Sequence, residues 1–115
     1  MVILYVHDME RAFAFYRDAI GLNAAFRSEG WSTLACGDAF VALHAIAPGI
    51  PEEAPLPYAG LNLEVDDLDA AIARAVAGGA TLREIREPEP HVPVRLGVLK
   101  DPDGNGFELR QRVEN

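Results

Sequence analysis

The side chains with chemistry to offer are two strand carboxylates, three histidines and one cysteine. Glu108 lies in "DPDGNGFEL" (Asp101 to Leu109) and Glu64 in "GLNLEV" (Gly60 to Val65); the histidines are His7, His44 and His91, and Cys36 is the sole cysteine. Carboxylates and imidazoles are metal ligands and proton carriers. A lone cysteine closes no intrachain disulfide and builds no thiolate metal cluster. Cys36, at a strand end beside Gly37, has no helix N-terminus near it in sequence to activate a thiolate and is read as inert. His7 stands at a helix entrance and takes a structural or surface role, and His91, in the proline-rich "EPEPHVPV", is expected in an exposed loop. "GDA" and "DGNG" are turns rather than phosphate loops, because neither opens a helix. The role of His44, Glu64 and Glu108 then depends on which way their strands face.

The elements that set those faces are legible from period and punctuation. "VILYV" (Val2 to Val6) is short, apolar and β-branched, hence a strand. Asp8 caps a helix whose stripe is Met9, Ala12, Phe13, Tyr16 and Ile20, and Gly21 closes it. Strands are predicted over Asn23 to Ser28, Trp31 to Cys36 and Ala39 to Ile46, with turns at Gly30 and "CGD" (Cys36 to Asp38). "APGIPEEAPLP" (Ala47 to Pro57) reads as an exposed linker. The pattern then restarts with a strand over Gly60 to Val65. Asp67 caps a second helix with the stripe Leu68, Ala71, Ile72, Ala75 and Val76, ending at Gly78 and Gly79. Strands near Thr81 to Glu87, Val94 to Lys100 and Gly106 to Arg112 complete the chain. "VHDMERA" and "VDDLDAA" repeat in kind at an offset of 59 residues. The chain is therefore one α+β domain over residues 1–115, built as module one (1–46), a linker (47–58) and module two (59–115), each running strand, helix, strand, strand, strand.

Alternation assigns the faces. Val2, Leu4 and Val6; Val41 and Leu43; Leu61, Leu63 and Val65; and Phe107 and Leu109 are expected to pack under the helices. The opposite face carries Met1, Ile3 and Tyr5; Phe40, Ala42 and His44; Gly60, Asn62 and Glu64; and Gly106, Glu108 and Arg110. Aromatics mixed with Asn, Glu, His and Arg suit the wall of a cavity.

Composition limits the partners. A net charge of −8 argues against nucleic acid and anionic membranes, both of which need a basic face. No apolar run approaches the roughly 20 residues of a membrane span, and the N-terminus enters a strand without a leader, so the expected location is the cytoplasm. At 115 residues the core is modest, and a homodimer is expected.

"YVHDMERAFAFYRDAIGL", "NLEVDDLDAAIARAVAGGA" and "LKDPDGNGFEL", in this order across nearly the whole chain, resemble the vicinal oxygen chelate superfamily of glyoxalase I, fosfomycin- and bleomycin-resistance proteins and extradiol dioxygenases. The resemblance implies paired βαβββ modules forming a curved, cup-like mixed sheet, commonly in a dimer with composite sites. It also implies four metal-ligand positions on the first and last strand of each module. Seven residues before each capping aspartate, where metal-using members place histidine, this chain has Met1 and Gly60; the closing-strand positions are Ala42 and Glu108. Only Glu108 is able to ligate, whereas a catalytic site needs about three protein ligands. A displaced set of His44, Glu64 and Glu108 is the alternative arrangement for a divalent metal.

The resemblance and the wall residues together favour a metal-independent small-molecule binder like the bleomycin-resistance branch, including drug sequestration, with no cofactor. Its cavity is expected to be lined by Tyr5, Trp31, Thr33, Phe40, His44, Asn62, Glu64, Glu108 and Arg110, and its ligand to be cationic or amphipathic. Trp31 is equally a candidate for a ligand platform and for a core or dimer contact. The alternatives are a divalent-metal-dependent lyase, isomerase or thiol transferase, and metal-free catalysis with Glu64 or Glu108 as a desolvated general base. Whether the chain is an enzyme stays open at this point.

Overall fold

The structure is a computed structural model and describes residues 1–47, 49–51, 60–90 and 92–113. His91 and most of the expected linker lie outside the described residues. The first module runs β1 (Val2–Val6), α1 (Met9–Ala14) continuing into a π-helical turn (Phe15–Ala19), β2 (Asn23–Phe26), β3 (Trp31–Cys36) and β4 (Ala39–Ala45). The second runs β5 (Leu61–Glu64), α2 (Leu68–Ala77), β6 (Thr81–Arg86), β7 (Val94–Lys100) and β8 (Gly106–Arg112). Each module folds into a four-stranded mixed sheet of one topology, β1-β4-β3-β2 and β5-β8-β7-β6, with its first strand parallel to its last. The expected duplication extends to the helix caps. Asp8 and Asp67 adopt nearly the same extended backbone, and their carboxylates accept from Arg11 N and Ala70 N, three residues on.

The helices cover the predicted faces. Leu4, Val6, Val41, Leu43, Leu61, Phe107 and Leu109 are buried together with Leu68, Ala71, Ile72 and Ala75 of α2 in one core that joins both modules. Two details depart from the simple helical count. The π-helical turn, closed by Ile20 N donating to Phe15 O, widens the helix so that Phe15 and Tyr16 both point inward; the stripe omitted Phe15. Val76, expected in the stripe of α2, is exposed at its edge, one residue before the helix ends. The strands expected over Asn23 to Ser28 and Thr81 to Glu87 are also shorter, ending at Phe26 and Arg86.

The modules are tied by the turn between β7 and β8. Asp101 O accepts from Gly104 N, Pro102 presets the first central φ, and Gly104 takes φ +92°, a conformation that L side chains rarely adopt. Asp101 is buried with four donors on its carboxylate: Asp103 N and Asn105 N on Oδ1, and Tyr16 OH and Asn105 Nδ2 on Oδ2. Burial nevertheless pushes its carboxyl above the ordinary value and raises the Tyr16 phenol well above its own. Asp103 Oδ1 accepts from His7 N, Asp8 N and Arg11 Nη2, while Asn105 Nδ2 also donates to Tyr5 O at 2.8 Å. A turn in module two thus fixes the junction of β1 and α1 in module one.

Candidate functional site

Strand register places the residues expected to line a cavity in rows. On the first sheet Tyr5, His44 and Trp31 are direct neighbours across β1, β4 and β3, followed by the row Ile3, Ala42 and Thr33. The rings of Tyr5 and His44 lie 5.3 Å apart, tilted by 48°, and His44 meets Trp31 edge-on at 5.9 Å and 86°. His44 Nδ1 is 2.8 Å from Ala45 O. Large apolar side chains on this wall remain in solvent: Met1 is 71% exposed, Phe26 56%, Phe40 43% and Ile3 41%. Isolated exposed hydrophobics are ordinary, but these four share one face of one small sheet.

The second wall has the opposite character. Asn62, Glu108 and Val98 form one row across β5, β8 and β7, and Glu64, Arg110 and Leu96 the next. Asn62 Nδ2 donates to Glu108 Oε1 at 3.2 Å, and Glu64 pairs with Arg112 at 2.9 Å. Arg86 pairs with Glu84 and is held above its ordinary value, chiefly by that hydrogen bond and charge, with a smaller contribution from Glu108. At the end of this wall Arg86, Glu87, Glu89, Val92, Val94 and Leu96 line a recess of about 440 Å³. A further groove of about 510 Å³ runs between the helices, past Ala14, Phe15, Ala19 and Ala77, away from both walls.

Tyr5, Trp31 and His44 therefore come together, with Thr33 in the neighbouring row and Phe40 exposed at the far end of β4. Asn62 and Glu108 also meet. Glu64 is exposed and engaged with Arg112 rather than enclosed in an apolar cup, and Arg110 is half-buried beside it. Among the described residues no hydrogen bond, ion pair or ring contact joins the first wall to the second. The displaced His44, Glu64, Glu108 set is accordingly not assembled, and no three His, Cys, Asp or Glu side chains among the described residues converge as metal ligands. The donor set at the four family positions does not fit a catalytic metal either. Ala42 is completely buried between Ile3 and Thr33, Gly60 has no side chain, Met1 projects into solvent, and Glu108 is left as the only carboxylate. His7 belongs to the module junction through its backbone N–H, in keeping with a structural role.

Two wall residues escaped the sequence reading for different reasons. Phe26 pairs with Thr33 only because a bulge between Ala24 and Phe26 shifts the period of β2, and alternation alone gives no warning of it. Arg112 lies two residues beyond Arg110 on the same strand face, so alternation carried one step further finds it.

Comparison with known proteins places this geometry. The chain superposes on a glyoxalase/bleomycin resistance protein/dioxygenase family enzyme from Burkholderia phytofirmans PsJN with a TM-score of 0.76 and 23% identity, over 97% of this chain and 96% of that one. Lactoylglutathione lyase from Agrobacterium tumefaciens gives 0.72 and 23%, covering 95% and 89%. TnmS3, an antibiotic binding protein from Streptomyces sp. CB03234, gives 0.68 and 28%, covering 96% and 91%. No curated protein matches. The model of the Glyoxalase/Bleomycin resistance protein/Dioxygenase superfamily matches residues 1–109. Two βαβββ modules, the "FEL" strand that closes the second and a match over almost the whole chain agree: the protein belongs to the glyoxalase/bleomycin resistance protein/dioxygenase superfamily.

Proposed function

We propose that this protein binds an amphipathic, aromatic small molecule without a metal ion, in a cavity made of one aromatic and one polar wall. The observation that carries the reading is the segregation of the walls. Tyr5, Trp31, His44, Phe40 and Phe26 offer ring faces and edges, while Asn62, Glu108, Glu64, Arg110 and Arg112 offer hydrogen bonds and charge. A ligand with one aromatic side and one polar or cationic side satisfies both. The absence of donors at Met1, Ala42 and Gly60 supports metal independence, and the likeness to an antibiotic binding protein supports sequestration of a drug-like ligand as the outcome. No helix among the described residues is long and apolar enough to cross a membrane, and the acidic chain is read as a cytoplasmic binder.

The cavity is completed in a homodimer, with the aromatic wall of one copy facing the polar wall of the other. Two features support this arrangement: the walls share no bond within the described residues of one chain, and the exposed Met1, Ile3, Phe26 and Phe40 need cover. Emission of Trp31, the single tryptophan, titrated with amphipathic aromatic compounds including cationic glycopeptides, tests the reading. Saturable changes that survive chelator are expected. Silence across the panel contradicts binding, and tight stoichiometric Ni, Zn, Mn or Fe that is lost in Glu108→Ala contradicts metal independence.

A further inference from the structure

His44 has a fixed tautomer. Its Nδ1 lies 2.8 Å from Ala45 O, and a carbonyl oxygen only accepts, so Nδ1 carries the proton of the neutral ring. Nε2 is then a lone-pair acceptor. The imidazole is held between Tyr5 and Trp31, its neighbours in register on either side, and it is exposed on the cavity face. No side chain or backbone group among the described residues donates to Nε2. The next row, Ile3, Ala42 and Thr33, brings no charge, and the carboxylates of the other wall are already engaged, Glu64 by Arg112 and Glu108 by Asn62.

An unshared acceptor set among aromatic rings suits a ligand that carries a good O–H donor on an aromatic skeleton. We propose that His44 Nε2 accepts a hydrogen bond from a phenolic hydroxyl of the ligand, while the ligand's rings lie against Trp31 and Tyr5. The proposal rests on the binding function above and narrows its ligand to hydroxylated aromatics. It assigns His44 as the residue that discriminates a hydroxyl from its methyl ether, since an ether leaves Nε2 facing a group with no hydrogen to give.

Calorimetric titration of the full chain with 2-naphthol and 2-methoxynaphthalene, both in one buffer, tests this. The wild type is expected to prefer the naphthol. In His44→Phe the ratio of the two affinities falls by about 3- to 10-fold, the range of one net hydrogen bond, while the ether still binds. His44→Gln, which restores an acceptor, regains part of the preference. An unchanged ratio in His44→Phe, or equal wild-type binding of the two compounds, overturns the role of His44 and leaves the binder reading standing. Binding of neither compound by the wild type overturns this inference, and the binder reading then falls only with silence of Trp31 emission across the wider panel. Because His44 is exposed, both variants are expected to keep the wild-type circular dichroism.

Discussion

Tyr16→Phe isolates the tie between the helix of module one and the turn of module two. The ring is completely buried, and its hydroxyl donates to Asp101 Oδ2 at 2.8 Å. Phenylalanine keeps the ring contacts with Phe15 and Phe107 and removes only the donor. Asp101 keeps three other donors, so its carboxylate is weakened rather than abandoned. A hydrogen bond to a charged group contributes about 1.5–3 kcal/mol, and that is the expected loss at pH 7. For a chain of this size each kcal/mol moves Tm by roughly 4 °C, so a fall of about 6–12 °C is expected.

The pH dependence adds a sign. Burial, followed by the charge and hydrogen bond of Asp101, raises the folded phenol above its ordinary value of 10.0. Above about pH 10 the unfolded chain releases this proton while the folded one keeps it, so wild-type stability falls, by at most about 1.4 kcal/mol per pH unit. The variant lacks the group, and its deficit relative to wild type should therefore narrow as pH rises through 10 towards the folded value. Urea unfolding at pH 7, 10 and 11 measures both effects. A deficit below about 0.5 kcal/mol at pH 7, or one that widens in alkali, refutes the assigned contact.

Two further substitutions probe the scaffold. A Cβ at Gly78 would sit 2.4 Å from Ala19 Cβ and 3.3 Å from Phe15 Cδ1, so Gly78→Ala forces α2 away from the π-helical turn and should cost about 1–3 kcal/mol; an unchanged urea midpoint argues against that packing. Asp67→Ala removes the carboxylate that accepts from Ala70 N and should cost about 1 kcal/mol, with ligand affinity intact, because the cap lies on the helix side of the second sheet; lost affinity at wild-type stability contradicts that separation.

The fold was legible because each local signal agrees with the next. Capping aspartates, terminal glycines and period-two strands recur in both halves, and the structure repeats the same sheet order twice. The misses have local causes. Phe15 is inward because of a wider helical turn, and Phe26 faces the wall because of a bulge; both change the period on which pattern reading rests. The residues of the aromatic wall were readable because register makes Tyr5, His44 and Trp31 neighbours whichever module lies opposite. What faces them was not, because a strand pattern fixes the face of its own sheet and carries no information on what is docked against it. Glu108 shows the difference: its place on the closing strand was set by alternation, whereas its partner Asn62 comes from the parallel pairing of β5 with β8.

Complementation between two binding-defective variants addresses the composite cavity most directly. His44→Ala combined with Trp31→Ala disables the aromatic wall, and Asn62→Ala combined with Glu108→Ala disables the polar wall; each variant alone should lose binding. If the walls come from different copies, a mixed dimer holds one site with both walls intact and one with neither. Random exchange between the two variants should then restore about one quarter of the wild-type site number, read by calorimetric stoichiometry with a ligand of the wild type. No recovery after subunit exchange, with each variant folded and dimeric, would contradict a cavity shared between copies and place both walls of a functional site in a single chain.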